Sequence, residues 1–138
     1  MSDAQMKRIL QTARTIASVG VSSNPAKPSY GVVAYLKSQG YHIIPINPGG
    51  GEILGEKTYI DLASIPEPVD VVQLFRPSEE VMPFVQQAIQ IGAKVVWMQE
   101  GIINEDAAQI ARAAGLEVVM DQCMRANHRR LIGERFSL

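Results

Sequence analysis

Two short stretches of the chain carry the residue types that can hold a phosphate. Gly20-Val21-Ser22-Ser23 ends an apolar run that begins at Ile16, and Lys27-Pro28-Ser29-Tyr30 opens a helical pattern shortly after it. Small residues that leave backbone N–H groups accessible, three hydroxyls and a lysine beside a helix N-terminus make an anion cradle. Three further stretches follow apolar runs of their own: Asn47-Pro48, Phe75-Arg76 and Met98-Gln99-Glu100-Gly101, with Asp121 to Cys123 after a fourth. Together they mix apolar surface with small polar groups and few charges, as a pocket for a mainly neutral organic body does. Glu100 and Asp121 are the acid/base candidates, but no nucleophile–base pair at suggestive spacing accompanies them.

The elements that must position these residues repeat. Three times a helical pattern ends in glycine and an apolar run follows: QG-YHII, IG-AKVV and AG-LEVV. Strands begin near residues 15, 41, 69, 94 and 117, a spacing of roughly 25 residues that suits a crossover helix between parallel strands. Near-continuous apolar strands belong to a sheet covered on both faces. Right-handed crossovers then give an α/β fold of three layers around a doubly wound, five-stranded parallel sheet, expected in the order 3-2-1-4-5. In such a sheet the ligand sits outside the carboxyl ends of the strands, where the residues above would gather. Ser2 and Gln5 have capping-box spacing for a first helix, and Asn104 is an N-cap candidate for a later one. Pro83 places a helix start near itself. No linker divides the chain, so residues 1–138 are expected to form one domain.

Dinucleotide binding needs three glycines at G-x-G-x-x-G and an acidic residue after the second strand. Here Gly20 stands alone and Asn47-Pro48 occupies the acidic position, so the usual NAD site is missing. The G-x-x-x-x-G-K-[ST] pattern of phosphate-binding ATPases is missing too.

The strings GVSSNPAKPSYGVVAYL, GYHIIPINP, LGEKTY, EPVDVVQLFRPSE, AIQIGAKVVWMQEGI and AGLEVVMDQC resemble, in this order, the stand-alone CoA-binding domain proteins. These are relatives of the CoA-binding domain in the succinyl-CoA synthetase α subunit, and the similarity runs from about Ile9 to Leu131. The resemblance implies a Rossmann-like fold that holds coenzyme A as its small-molecule ligand, with no established enzymatic activity for stand-alone members. By matching motif, Gly20, Val21, Ser22, Ser23, Lys27, Pro28, Ser29 and Tyr30 should meet the phosphate-bearing part. Asn47, Pro48, Phe75 and Arg76 should border the nucleotide, and Met98, Gln99, Glu100 and Gly101 should form the edge that carries further contacts. Gln122-Cys123-Met124 departs from the Arg-Cys-Pro often found in the family. The synthetase's phosphohistidine lies in a second domain that this sequence does not contain.

The residues alone leave other readings open. Ser29 could simply cap a helix, Asn47-Pro48 could terminate a strand, and Arg76 could make a surface ion pair. Trp97 reads as core, and Met98 shares that reading. Cys123 reads as a small buried hydrophobe, with thiol exchange against the coenzyme as the sharper alternative. His42 starts a strand away from the expected site, His128 reads as part of a solvated basic face, and no metal site is expected. Thirteen basic against fourteen acidic residues, a net charge of −1, give no global attraction to nucleic acid or anionic membranes. Arg125, Arg129, Arg130 and Arg135 leave only a local basic patch as a nucleic-acid candidate. With one cysteine, no membrane-length apolar run and no secretory leader, a cytoplasmic protein is expected. The reading favours a ligand-binding module; the alternative is an enzyme acting on a CoA thioester or another nucleotide, with Glu100 or Asp121 as acid/base.

Overall fold

Ser2 and Gln5 cap the first helix reciprocally, as their spacing predicts. The Ser2 hydroxyl accepts the Gln5 N–H at 3.2 Å, and the Gln5 side-chain oxygen accepts the Ser2 N–H at 2.9 Å. That helix, α1 (Asp3–Thr12), buries Met6, Ile9 and Leu10 and leads into β1 (Thr15–Val19). The computed structural model describes residues 1–135; residues 136–138, counted in the expected single domain, lie outside the described residues. The chain continues as α2 (Pro28–Ser38), β2 (His42–Ile46) and a small hairpin of β3 (Glu52–Ile53) and β4 (Glu56–Lys57). Then come β5 (Val71–Leu74), α3 (Met82–Gln90), β6 (Val95–Met98), α4 (Glu105–Ala113), β7 (Glu117–Val119) and α5 (Met124–Leu131). Pro83 sits in the first turn of α3, where its missing N–H costs nothing, and the Asn104 side chain accepts the Ala107 N–H at 2.9 Å.

Five strands form one parallel sheet in the order β2-β1-β5-β6-β7, with the hairpin apart from it. The three-layer, doubly wound parallel architecture is the expected one; the strand order is not. Counted by the five sheet strands alone it runs 2-1-3-4-5 instead of 3-2-1-4-5, because β5 pairs with the free edge of β1 and not with β2. The connection from β2 explains this. It carries Leu62 and Val69 into the core on the far side of the sheet from α2, so the chain passes under β1 before the next strand forms. The order therefore reverses between β1 and β5. Pro45 is tolerated in β2 because that strand lies at the sheet edge, where its carbonyl accepts the Tyr59 N–H at 3.1 Å.

Alternation along the strands divides the core in two. Ile16, Ile43, Val71, Val95 and Trp97 face α1, α2 and α5, whereas Ala17, Ile44, Val72, Val96 and Met98 face α3 and α4. Trp97 is fully buried, as the sequence suggests, and its indole N–H donates to the Gln122 carbonyl at 2.8 Å. No helix among the described residues is long and apolar enough to cross a membrane.

His128 corrects its sequence reading. It lies in α5 yet is only 3% exposed, because that face packs on α2, where the Tyr35 hydroxyl meets Nδ1 at 2.7 Å. Tyr35 and Tyr41 also set ring edges against it. Burial, with the Arg135 charge as a lesser cause, lowers its pKa below the ordinary 6.5. The unfolded chain then binds more protons as pH falls through about 6.5, so stability is full above that value and lost below it. Urea midpoints at pH 7.5 and 5.5 should show this loss in the wild type and a smaller one in His128→Gln; an equal loss in both removes His128 as the cause.

Candidate functional site

The carboxyl ends of β1 and β5 meet at the reversal point, where the Phe75 N–H donates to the Val19 carbonyl at 3.0 Å, and the first loop stays close there. Gly20 adopts φ +86°, and a Cβ built on it would lie 2.9 Å from Arg76 Cδ. Only glycine gives both the left-handed backbone and the space. Beyond it, the Ser22 N–H donates to the Ser29 hydroxyl oxygen at 3.0 Å, strapping the loop onto the first turn of α2. The Ser22 hydroxyl oxygen accepts the Asn24 N–H, also at 3.0 Å. Ser29 is thus not the helix N-cap: Lys27 holds that position without a side-chain cap, and Pro28 is pre-set for the first helical residue. Asn47 joins the second loop to the first. Its Nδ2 donates to the Val21 carbonyl at 3.2 Å, and its Oδ1 accepts the Gly49 N–H at 2.8 Å.

Two hollows lie on either side of the Ser22–Ser29 strap. The larger, ≈ 430 Å³, is walled by Gly20 to Ser22, Asn47, Pro48 and Arg76, over an apolar floor of Val19, Ile46, Ile60 and Phe84. The second is a groove of ≈ 260 Å³ bordered by Pro28, Ser29, Phe75, Gln99 and Glu100, with Val32, Ile102, Cys123 and Arg125. Arg76 has both of its anticipated roles, since it lines the larger hollow and pairs with Glu80 at 3.0 Å. Arg125 supplies a cation at the groove, lying over Gly31 so closely that a Cβ there would be 3.3 Å from its Nη1. Phe75 is half-buried and packs on the α2 side of the core while lining the groove.

The remaining sequence candidates fall elsewhere. Met98 is fully buried among α3- and α4-facing residues, so its side chain is core; alternation along β6 turns it away from the edge. Ser23 and Lys27 are exposed on the loop, Tyr30 packs partly into the core, and Gly101 makes the turn after β6 with φ +84°. Asp121, itself at φ +58°, accepts the Gly101 N–H at 2.6 Å, so its carboxylate is engaged in holding that turn. Glu100 is exposed at the groove rim. Cys123 is half-buried at the groove rather than sealed in the core. Sequence reasoning missed Val19, Ile46, Ile60, Phe84, Val32 and Arg125. The strand ends Val19 and Ile46 were legible as neighbours of named residues, whereas nothing in the pattern marks Ile60, which is 65% exposed on the irregular connection. Among the described residues no three His, Cys, Asp or Glu side chains gather as metal ligands.

Residues 14–129 match the family model described as a CoA binding domain. A Bacillus subtilis protein, YneT, is 39% identical over 127 residues, covering 92% of this chain and 94% of its own. The α subunit of ADP-forming acetate–CoA ligase I from Pyrococcus furiosus is 33% identical over 89 residues, which are 60% of this chain but only 19% of that subunit. A solved structure from Pyrococcus horikoshii superposes with a TM-score of 0.93 at 40% identity, covering 96% of this chain and 94% of that one.

Gly20 offers a direct test of how the site is built. Gly20→Ala should lower the unfolding free energy by about 1–3 kcal/mol, combining the left-handed backbone penalty with the contact on Arg76. Adding Arg76→Ala should recover the steric part alone, seen as a favourable coupling in a double-mutant cycle of urea unfolding. A Gly20→Ala protein as stable as the wild type would show that the close approach does not constrain the loop.

Proposed function

The chain belongs to the CoA binding domain family, and from this we propose that it holds coenzyme A, free or acylated, across the two hollows of the carboxyl edge. The observation that carries the reading is the pair of hollows flanking one strap, each with a cation and apolar surface. Coenzyme A has the matching division: a phosphorylated adenosine head and a long, mostly neutral arm. The head fits the larger hollow, with the adenine over Ile46, Ile60 and Phe84 and its phosphates near the Gly20–Ser23 backbone and Arg76. Lys27, exposed at the N-cap of α2, adds a second cation within the same loop. Charge-assisted contacts of this kind are the strong ones for phosphate oxygens. The arm then passes the strap and runs along Phe75, Ile102 and Gln99 in the groove.

The arrangement supports retention more than chemistry. Asp121 is occupied by the Gly101 N–H, and Glu100 stands at the rim with no acid, base or nucleophile paired to it by a hydrogen bond or ion pair among the described residues. The ligase activity named for the Pyrococcus furiosus relative belongs to a subunit of which this chain spans under a fifth.

Thermal melts with coenzyme A, dephospho-coenzyme A, acetyl-coenzyme A, NAD and ATP test the reading. At about 100 times its dissociation constant a ligand adds roughly 2.7 kcal/mol, a rise of several degrees for a domain of this size. Coenzyme A should give that rise and NAD should not; the reverse pattern overturns the proposal. Acyl-CoA turnover that Glu100→Gln abolishes would make the protein an enzyme instead.

A further inference from the structure

Gln99 is only 6% exposed, yet it borders the groove beside Ser29, Phe75 and Ile102. Its Oε1 accepts two bonds, from the Met124 backbone N–H at 2.9 Å and from Gln73 Nε2 at 3.2 Å. A backbone N–H can only donate, so Met124 dictates which end of the Gln99 amide turns inward. The order then runs inward: Gln73 must offer its nitrogen to that oxygen, and its own Oε1 accepts the Ser18 hydroxyl at 2.8 Å. Ser18 and Gln73 are completely buried, and no water-facing alternative competes with this arrangement.

Gln99 Nε2 is different. It has no protein acceptor among the described residues. Every fully buried side-chain nitrogen and oxygen among those residues has a partner, so this nitrogen cannot be sealed in the core; it opens on the groove. A nine-tenths-buried amide therefore presents N–H, and only N–H, to whatever lies there. An acceptor of matching kind would satisfy it, whereas a donor would meet a donor.

Resting on the coenzyme A reading above, we propose that Gln99 is a specificity-determining donor that binds a carbonyl oxygen of the ligand's arm, its polarity set by the Met124 N–H and its place held by Gln73, which Ser18 holds in turn. The carbonyl has two possible sources with the same chemistry: an amide of the arm, present in free and acylated coenzyme A, or the thioester carbonyl, present only when acylated.

Gln99→Glu separates this role from a structural one. The carboxylate keeps an oxygen for Met124 and Gln73 but turns an acceptor towards the groove. Titration calorimetry would use coenzyme A, acetyl-coenzyme A and adenosine 3′,5′-bisphosphate, a head fragment without the arm. Loss of one neutral hydrogen bond should weaken binding about five- to tenfold. An equal loss for both coenzymes with the head fragment unchanged supports the arm amide; a loss for acetyl-coenzyme A alone supports the thioester. Unchanged binding of all three, or equal weakening of the head fragment by the new charge, overturns the proposal while leaving the coenzyme A reading intact. Should the variant fail to fold, the wild type is titrated with a coenzyme A analogue whose arm amide carbonyls are replaced by methylene groups and with acetyl-coenzyme A: a five- to tenfold loss for the analogue supports the arm amide, and binding as tight as that of coenzyme A for both overturns the proposal. Ser18→Ala should weaken the coenzymes by about two- to fivefold relative to the head fragment, whereas a purely structural serine would weaken both alike. If the wild type binds none of the three ligands, the coenzyme A reading falls and this inference falls with it.

Discussion

A buried run of uncharged polar groups ties the sheet to the site. Ser18 on β1 lies directly opposite Gln73 on β5, and both are sealed from water at positions where these strands otherwise carry apolar side chains. An amide in such a place costs several kcal/mol unless its hydrogen bonds are made. The chain of donors and acceptors is completed only at Gln99, which in turn accepts the Met124 N–H. Met124 is the first residue of α5, a helix whose N-cap, Cys123, supplies no side-chain bond. Gln99 therefore caps α5 from another element, satisfying one of the N–H groups a helix start leaves orphaned. The position of Arg125 one residue later, and of the groove wall with it, depends on that contact.

A second constraint acts at the reversal of strand order. Neighbouring strands whose crossovers lie on opposite faces must part company at their carboxyl ends, and a crevice results. The loops closing it are anchored by the buried Val21 and tied by side-chain hydrogen bonds, Asn47 to the Val21 carbonyl and the Ser22 N–H to Ser29. Each of these uses a side chain to satisfy a backbone group that a buried loop would leave unpaired. The same residues that shape the crevice are thus spoken for on one side and open on the other. Ser29, for instance, accepts from Ser22 and retains a hydroxyl proton to give.

Much of the fold was legible because its signals are local. Capping at Ser2 and Asn104, the glycines that close helices at Gly40, Gly92 and Gly115, and the apolar strands are all read within a few residues of chain. The strand order was not legible, because it rests on where Leu62 and Val69 are buried, and the stretch between Gly49 and Pro68 carries no periodicity to say so. The loops of the site were located, but their internal chemistry was not: Ser29 is spent on the Ser22 backbone, and the helix cap falls two residues earlier. Met98 shows the limit of a contiguous motif. Adjacent strand residues face opposite sides, so Met98 entered the core and could not share the groove with Gln99. The reading of His128 as part of a solvated face fails for a related reason, since Arg129 and Arg130 next to it in the chain say little about the face that it occupies itself.

On the proposed reading the site holds a ligand, and its charged groups can be weighed against that role. Acid/base work needs a group whose proton affinity is tuned and whose partner is within hydrogen-bond reach. The carboxylate best fixed in place, Asp121, is fixed by a backbone N–H and serves the turn at Gly101. Burial raises the pKa of Tyr35 and Tyr41 and lowers that of His128, and these three lie against one another, with Tyr35 on α2 and His128 on α5, and line neither hollow. Apart from Glu100 at the groove rim, what faces the hollows is a set of neutral donors, apolar walls and arginines, which on the proposed reading favour binding in the ground state. Such uniform binding lowers a dissociation constant without lowering a barrier. On the proposed reading, the buried polar network that turns the Gln99 N–H outward serves recognition of a ligand's polarity.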